Sequence, residues 1–281
     1  MAIAGRFIKD TILKREQVFD PKQGLIKKSG RMESSPSSIF VLVLNNHKLI
    51  FFPETGFAPT ISAFKSTAQF YINQQHKNFI NERYENLKIE SENSTKRDRS
   101  KSRVTKKSLW EKYPRSNLEV VPIPSELSLN DFIKRYQKLN SITIKVLRTN
   151  SEINNSKLLQ SVRKNGAKLG AASGSIGYSG DKDGLDKSEA AKQLSEMALD
   201  GNSDVRLSGL DLNGNRLIGN NDEFKLKVAV DNISSNIDEA APELYGAMND
   251  EIESANLQFA ENENSAEQLQ TIAAIARQSN G

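Results

Sequence analysis

Between residues 94 and 107 the chain concentrates the residue types that neutralise phosphate. Lys96, Arg97, Arg99, Lys101, Arg103, Lys106 and Lys107 stand against a single acid, Asp98, and the sole tryptophan, Trp110, follows with Tyr113 close behind. Lysine and arginine at this density hold a polyanion with steep salt dependence, and an adjacent aromatic ring offers a face for an unstacked base. Nothing in the segment supplies side-chain pairs that read base edges. The same composition also describes a solvated loop that Trp110 anchors to a core, and both readings stand on the residues alone. A second group, Arg163, Lys164 and Lys168, borders the glycine-rich stretch 166–177 and can reach an anion from there. That stretch has neither the Gly-Lys-Ser/Thr ending of a Walker loop nor the G-x-G-x-x-G pattern of a dinucleotide loop, so it reads as a mobile linker or lid. The ten cations and Trp110 are the expected nucleic-acid contacts, to DNA or RNA.

Other chemistries are thin. The chain has no cysteine, which excludes disulfide scaffolds, thiolate metal sites and cysteine nucleophiles. Imidazole chemistry rests on two residues. His47 falls in a turn and His76 reads as a surface residue of a helix, so a Ser/His nucleophilic site is not expected. The acids Asp204, Asp211, Asp222 and Glu223 are the set from which a Mg²⁺-dependent nuclease would be built. Asp211-Leu-Asn-Gly-Asn starts like a calcium loop, but its glycine is fourth rather than sixth and no glutamate stands twelfth, so a hairpin turn is expected there. No cofactor and no metal site is expected, and the protein is read as non-enzymatic by itself.

Charge is distributed unevenly among the elements that must position these residues. Residues 1–170 hold 31 Lys and Arg against 15 Asp and Glu, and residues 171–281 hold 8 against 20, within an overall charge of +4. The two ends are therefore expected to meet different partners, unless the acidic part neutralises the basic part of its own chain or of a second copy. The first twenty residues are too charged for a signal peptide, and the longest apolar run, 39–44, is far below the roughly 20 residues a bilayer span needs. A cytoplasmic protein with no membrane partner is expected.

The segment 1–37 reads as polar, basic, and extended or irregular. Residues 38–44 and 48–52 form a strand hairpin around Asn45-Asn46-His47, both strands buried on two faces. A helix then runs to about residue 87 with Phe64, Ala68, Tyr71, Ile72, Phe79, Ile80 and Tyr84 on its packed side. Nine of the twelve phenylalanines fall in residues 1–79, which places the densest core there. A strand is expected at 118–121, a helix from Ser128 through Leu129, Phe132, Ile133, Tyr136 and Leu139, and a half-buried strand at 141–148. Further helices are expected at 152–169 and about 186–199, a hairpin around Asn213-Gly214, a strand at 224–230, and acidic helices at 238–260 and 265–278. The class is α+β: a mixed or antiparallel sheet with a β-β-α-β-α-β core, helices packed on one face, and an acidic helical carboxyl-terminal extension. The expected organisation is a basic core domain at 1–150 with an exposed loop at 91–113, a continuation or second α/β subdomain at 151–235, and the acidic tail at 236–281. No internal repeat is present.

Leu49-Ile-Phe-Phe-Pro53 with Phe57 and the long helix, Val120-Val-Pro-Ile-Pro124 and Gly209-Leu-Asp-Leu-Asn-Gly214 are similar, over residues 38–235, to a family of uncharacterised bacterial proteins. The resemblance implies a small cytoplasmic protein, with some relatives encoded among phage-defence genes, and carries no catalytic residues. Charge and resemblance together lead to one expectation: a nucleic-acid-binding or sensing subunit of a bacterial antiviral defence system, whose acidic carboxyl-terminal helices contact a protein partner or a second copy. Two alternatives remain open, an oligomeric scaffold with no nucleic-acid role and a Mg²⁺-dependent nuclease.

Overall fold

A computed structural model describes residues 1–45, 47–92, 105–147, 156–171, 173–198, 203–254, 270 and 272–274. Its strands are β1 (Ala2–Ile8), β2 (Thr11–Asp20), β3 (Gly24–Ser34), β4 (Ser37–Val43), β5 (Lys48–Pro53), β6 (Tyr136–Val146), β7 (Gly174–Ser179), β8 (Ser203–Asp211) and β9 (Arg216–Asn220). Its helices are α1 (Ile61–Glu92), α2 (Lys106–Lys112), α3 (Glu126–Lys134), α4 (Lys157–Lys168), α5 (Lys187–Ala198) and α6 (Ile237–Glu253). The fold is mixed α+β with antiparallel pairing, and the chain divides into two units. The first comprises Met1–Arg6, Ile39–Phe52 and Val121–Gly281; the second comprises Phe7–Ser38 and Pro53–Val120.

The first unit is organised on β6. Its neighbours give a sheet ordered β7-β6-β8-β9. Register places Ile142 opposite Leu207 and Ile144 opposite Val205, so these four share one face. That face meets Leu129, Phe132 and Ile133 of α3, Leu159 of α4, and Leu194 and Met197 of α5 in one buried cluster. Two strand glycines make room for the aromatic part of it. A Cβ at Gly219 would stand 2.2 Å from the Phe132 ring, and one at Gly209 would stand 2.1 Å from the Lys138 carbonyl. Both positions exclude any side chain. Burial pushes the Tyr136 phenol up to about 12; its hydroxyl has no hydrogen-bond partner, the nearby Gly219 amide lying outside bonding geometry. Asn221 supplies the polar closure: its Oδ1 accepts from the Val205 amide at 2.8 Å, and its Nδ2 donates to the Ser203 and Pro122 carbonyls at 3.0 Å each. A second sheet, ordered β1-β4-β5, packs Ile39 and Val41 against Ala240 and Leu244 of α6. The acidic helix is thus held by hydrocarbon contact.

The second unit holds a two-stranded antiparallel ribbon, β2–β3, and the 32-residue helix α1 with the short α2 beside it. On α1 the less exposed positions are 61, 64, 65, 68, 69, 72, 73, 76, 80, 81, 84 and 87, a helical stripe, and Tyr71 and Phe79, expected on that packed side, are exposed instead.

Several expectations need correction. The stretch 1–37 is not irregular: it forms β1, β2 and β3. No strand ladder forms at 118–121 or 224–230. Pro122 and Pro124 lack the N–H groups a ladder needs, and the two segments meet only through the Pro124–Lys225 bridge, with Ser125 donating to Phe224 and Leu226 to Ile123. The expected β-β-α-β-α-β order therefore loses its third strand. Helix α3 begins one turn earlier, capped by Ser125 rather than Ser128, and ends before Tyr136 and Leu139, which pairing with β8 draws into β6. The glycine-rich stretch is not a lid over its whole length, because 174–179 is β7, paired with β6. The second strand of the amino-terminal hairpin, β5, is only half-buried. The densest core is not in residues 1–79. It spans Leu129 to Phe224, while Phe19, Phe57, Phe70 and Phe79 are exposed. The expected helix at 265–278 lies mostly outside the described residues.

Candidate nucleic-acid interface

Division into units redistributes the charge and narrows the asymmetry seen along the chain, from +16 against −12, without removing it. The second unit carries 20 Lys and Arg against 12 Asp and Glu, a net +8, and the first carries 19 against 23, a net −4. The cationic unit is thus the ribbon, α1 and the segment after it, irrespective of how far along the chain each piece falls.

Residues 105–118 form a strap along α1. Thr105 caps α2 through the Ser108 amide, and the Ser108 hydroxyl returns the bond to the Thr105 amide, so this short helix starts from a closed capping box. Leu109 is its buried anchor. Three further clasps follow along α1. Lys106 Nζ donates to Asn81 Oδ1 at 2.9 Å and lies over the Tyr84 ring at 5.2 Å. One turn down, the Trp110 ring meets His76 at 4.8 Å between centroids and carries the Arg115 guanidinium at 4.8 Å. At the end, Gln69 accepts from the Leu118 amide at 2.6 Å and donates to the Ser116 carbonyl at 3.0 Å.

His76 departs from its expected surface role. It lies on the packed stripe of α1, and its Nε2–H donates to the Tyr113 carbonyl at 3.0 Å, which leaves Nδ1 buried with no partner. The signal was present in the sequence, since residues 68, 72, 76, 80 and 84 repeat at i+4.

The expected contact residues divide between the two units. Lys106 and Lys107 are exposed on α2, and Trp110 is half-buried as the clip of the strap, an anchor rather than an open stacking face. Lys96, Arg97, Arg99, Lys101 and Arg103 lie outside the described residues. Lys164 and Lys168 are exposed on α4, in the first unit. Arg163, beside them, is half-buried with Nε donating to the Leu147 carbonyl at 3.0 Å, so it ties α4 to the end of β6. Sequence reasoning missed the ribbon altogether: Lys14, Arg15, Lys27, Lys28 and Arg31 all stand exposed on it.

The four carboxylates of the nuclease alternative do not converge: among the described residues no three acidic or histidine side chains approach as metal ligands would. Asp211 Oδ1 accepts from the Asn213 and Asn215 amides at 2.8 Å each, closing the β8–β9 turn. The Asn215 N–H is the main cause holding its carboxyl below the usual carboxylate range. Asp222 pairs with Lys225 at 3.2 Å. Among the described residues no helix is long and apolar enough to cross a membrane. No protein-family model, no curated protein and no solved structure matches this chain.

Proposed function

We propose that the protein is a non-enzymatic nucleic-acid-binding or sensing subunit, and that its second unit is the surface that meets the polyanion. The observation that carries this is the net +8 of that unit, with exposed cations on both the ribbon and α2. Lysine and arginine spread over an open surface engage phosphates by releasing condensed counterions, which needs no enclosed pocket and no catalytic group. The packing of Trp110 favours binding through charge over binding through base stacking on that ring. We place it in bacterial antiviral defence, in the cytoplasm, on what the resemblance over residues 38–235 implies and on nothing else. The acidic surface of the first unit, including Lys-poor α6, is the side available to a protein partner or a second copy.

Filter binding of single- and double-stranded nucleic acid across a salt series tests the proposal. The expected result is affinity that falls steeply with salt, with a log–log slope reduced by about 2 in K106Q/K107Q if both lysines contact phosphate. Affinity that is absent at low salt, or flat across the series, removes it.

A further inference from the structure

The β2–β3 ribbon bears a pattern that its own unit leaves open. Antiparallel register sets directly opposed residues on a common face. One face carries Leu13, Arg15, Gln17 and Phe19 of β2 opposite Met32, Gly30, Lys27 and Leu25 of β3. Its apolar members are uncovered: Phe19 is 70% exposed, Leu25 72% and Met32 62%. Arg15 lies across the middle of this face over Gly30, where a Cβ would stand 3.2 Å from Nη2 and press the guanidinium outward by a few tenths of an ångström. The other face sets Lys14 directly opposite Arg31. Two cations in that relation repel, and neither forms an ion pair among the described residues. Where the register skips near Glu16, Lys28 adds another cation. The middle of the ribbon therefore carries cations on both faces, with Glu16 at the register skip and Glu33 two residues from Arg31 as the acids beside them.

That arrangement discriminates among anionic partners. A bilayer meets a ribbon from one side or at its tip. Here cations occupy both faces, and the tip is led by the polar turn in which Asp20 accepts from the Lys22 and Gln23 amides at 2.8 and 3.0 Å. A groove between two phosphate walls meets both faces and edges together. The major groove of B-form DNA is about 12 Å wide and admits a two-stranded ribbon, whereas that of A-form RNA is too deep and narrow for side chains to read. Successive residues on one face of a strand advance about 6.8 Å, close to two base-pair steps of about 3.4 Å. Arginine suits guanine O6 and N7, glutamine suits adenine N6 and N7, and apolar side chains suit the thymine methyl.

We propose that the β2–β3 ribbon seats in the major groove of B-form DNA, with Arg15 and Gln17 toward the base edges and Lys14, Lys27, Lys28 and Arg31 toward phosphates. This rests on the polyanion-binding role of the second unit and adds the nucleic acid, its form and the element that enters it.

The test is fluorescence anisotropy on the full chain with a short DNA duplex, the same sequence as an RNA duplex, single-stranded DNA, and phosphatidylserine–phosphatidylcholine vesicles. The DNA duplex binds tightest. K14Q/R31Q weakens duplex binding and lowers the salt slope by about 2, yet raises the Tm of the free protein, because it removes the opposed cations. R15Q retains the general affinity and loses preference among duplex sequences. Equal binding of RNA and DNA duplexes, or unchanged duplex affinity in K14Q/R31Q, overturns the ribbon assignment. If K106Q/K107Q alone weakens binding, the ribbon assignment fails while the broader nucleic-acid role stands. No binding of any nucleic acid at low salt removes both, and vesicle capture without duplex binding makes the ribbon a membrane element instead.

Discussion

The two units each contain six of the twelve phenylalanines and use them in opposite ways. In the first, Phe132 and Phe224 are sealed among the helices and sheet, at 4% and 0% exposure. In the second, Phe19, Phe57, Phe70 and Phe79 are all exposed, and none of the six is buried. Aromatic content alone does not make a core. A core needs two layers that close on each other, and in the first unit the faces of β6 and β8 find α3, α4 and α5. The second unit is a ribbon and a long helix whose strap covers one stripe, so much of its apolar surface stays at the boundary with water, interleaved with its excess cations. Exposed apolar surface of this kind is a mark of interaction rather than of folding.

The comparison breaks first at Phe224. Phe224→Ala should cost the first unit about 3–5 kcal/mol, read by chemical denaturation, because the cavity sits between α3 and the sheet. A cost near zero would show that this core is not closed.

Trp110→Ala should open the strap with a local loss of about 2 kcal/mol, since half a buried aromatic contact is removed along with its packing on His76. Amide exchange should rise across residues 105–118 and stay unchanged in β6. Uniform protection in the variant would mean that the other clasps suffice.

A further separation of the units comes from pH. Tyr136 is held protonated up to about 12 by burial, above the ordinary phenol value of 10.0. Between those values the unfolded chain has released its proton and the folded chain has not, so stability of the first unit is fully present below pH 10 and is lost as pH rises through the folded pKa. Tyr136→Phe should flatten that fall and change neutral stability little, because the hydroxyl has no hydrogen-bond partner to lose. Alkaline melts that are identical in the variant and the parent would refute the assignment.

The smallest effect is expected at Phe19, where Phe19→Ala should alter stability by no more than about 0.5 kcal/mol while weakening duplex DNA binding. A loss comparable to that of Phe224→Ala would place Phe19 in a core and dissolve the contrast between the units.

Much of the local structure was legible in the residues. The runs around His47 and Asn213-Gly214 announced hairpins, and Ile142, Ile144 and Val146 announced β6, because period-two burial and turn chemistry act over a few residues. The candidate interface was legible only in part. A cationic segment near Trp110 was visible, but the ribbon was not: its apolar residues do not become a face until cross-strand register sets Leu13 by Met32 and Phe19 by Leu25. Gly209 and Gly219 were likewise silent until the backbone brought Lys138 and Phe132 against them.

The amino-acid sequence by itself determined the α+β class, the absence of thiol chemistry, and an excess of cations toward one end, since these follow from composition and short-range pattern. Only the tertiary structure decided that Ile39–Phe52 joins Val121–Gly281 in one unit, that the net positive charge belongs to the other, and that the acidic α6 is held through its Ala240 and Leu244. Those outcomes depend on which distant apolar faces close on one another, and the free energy of that closure is spread over contacts no short window of sequence contains.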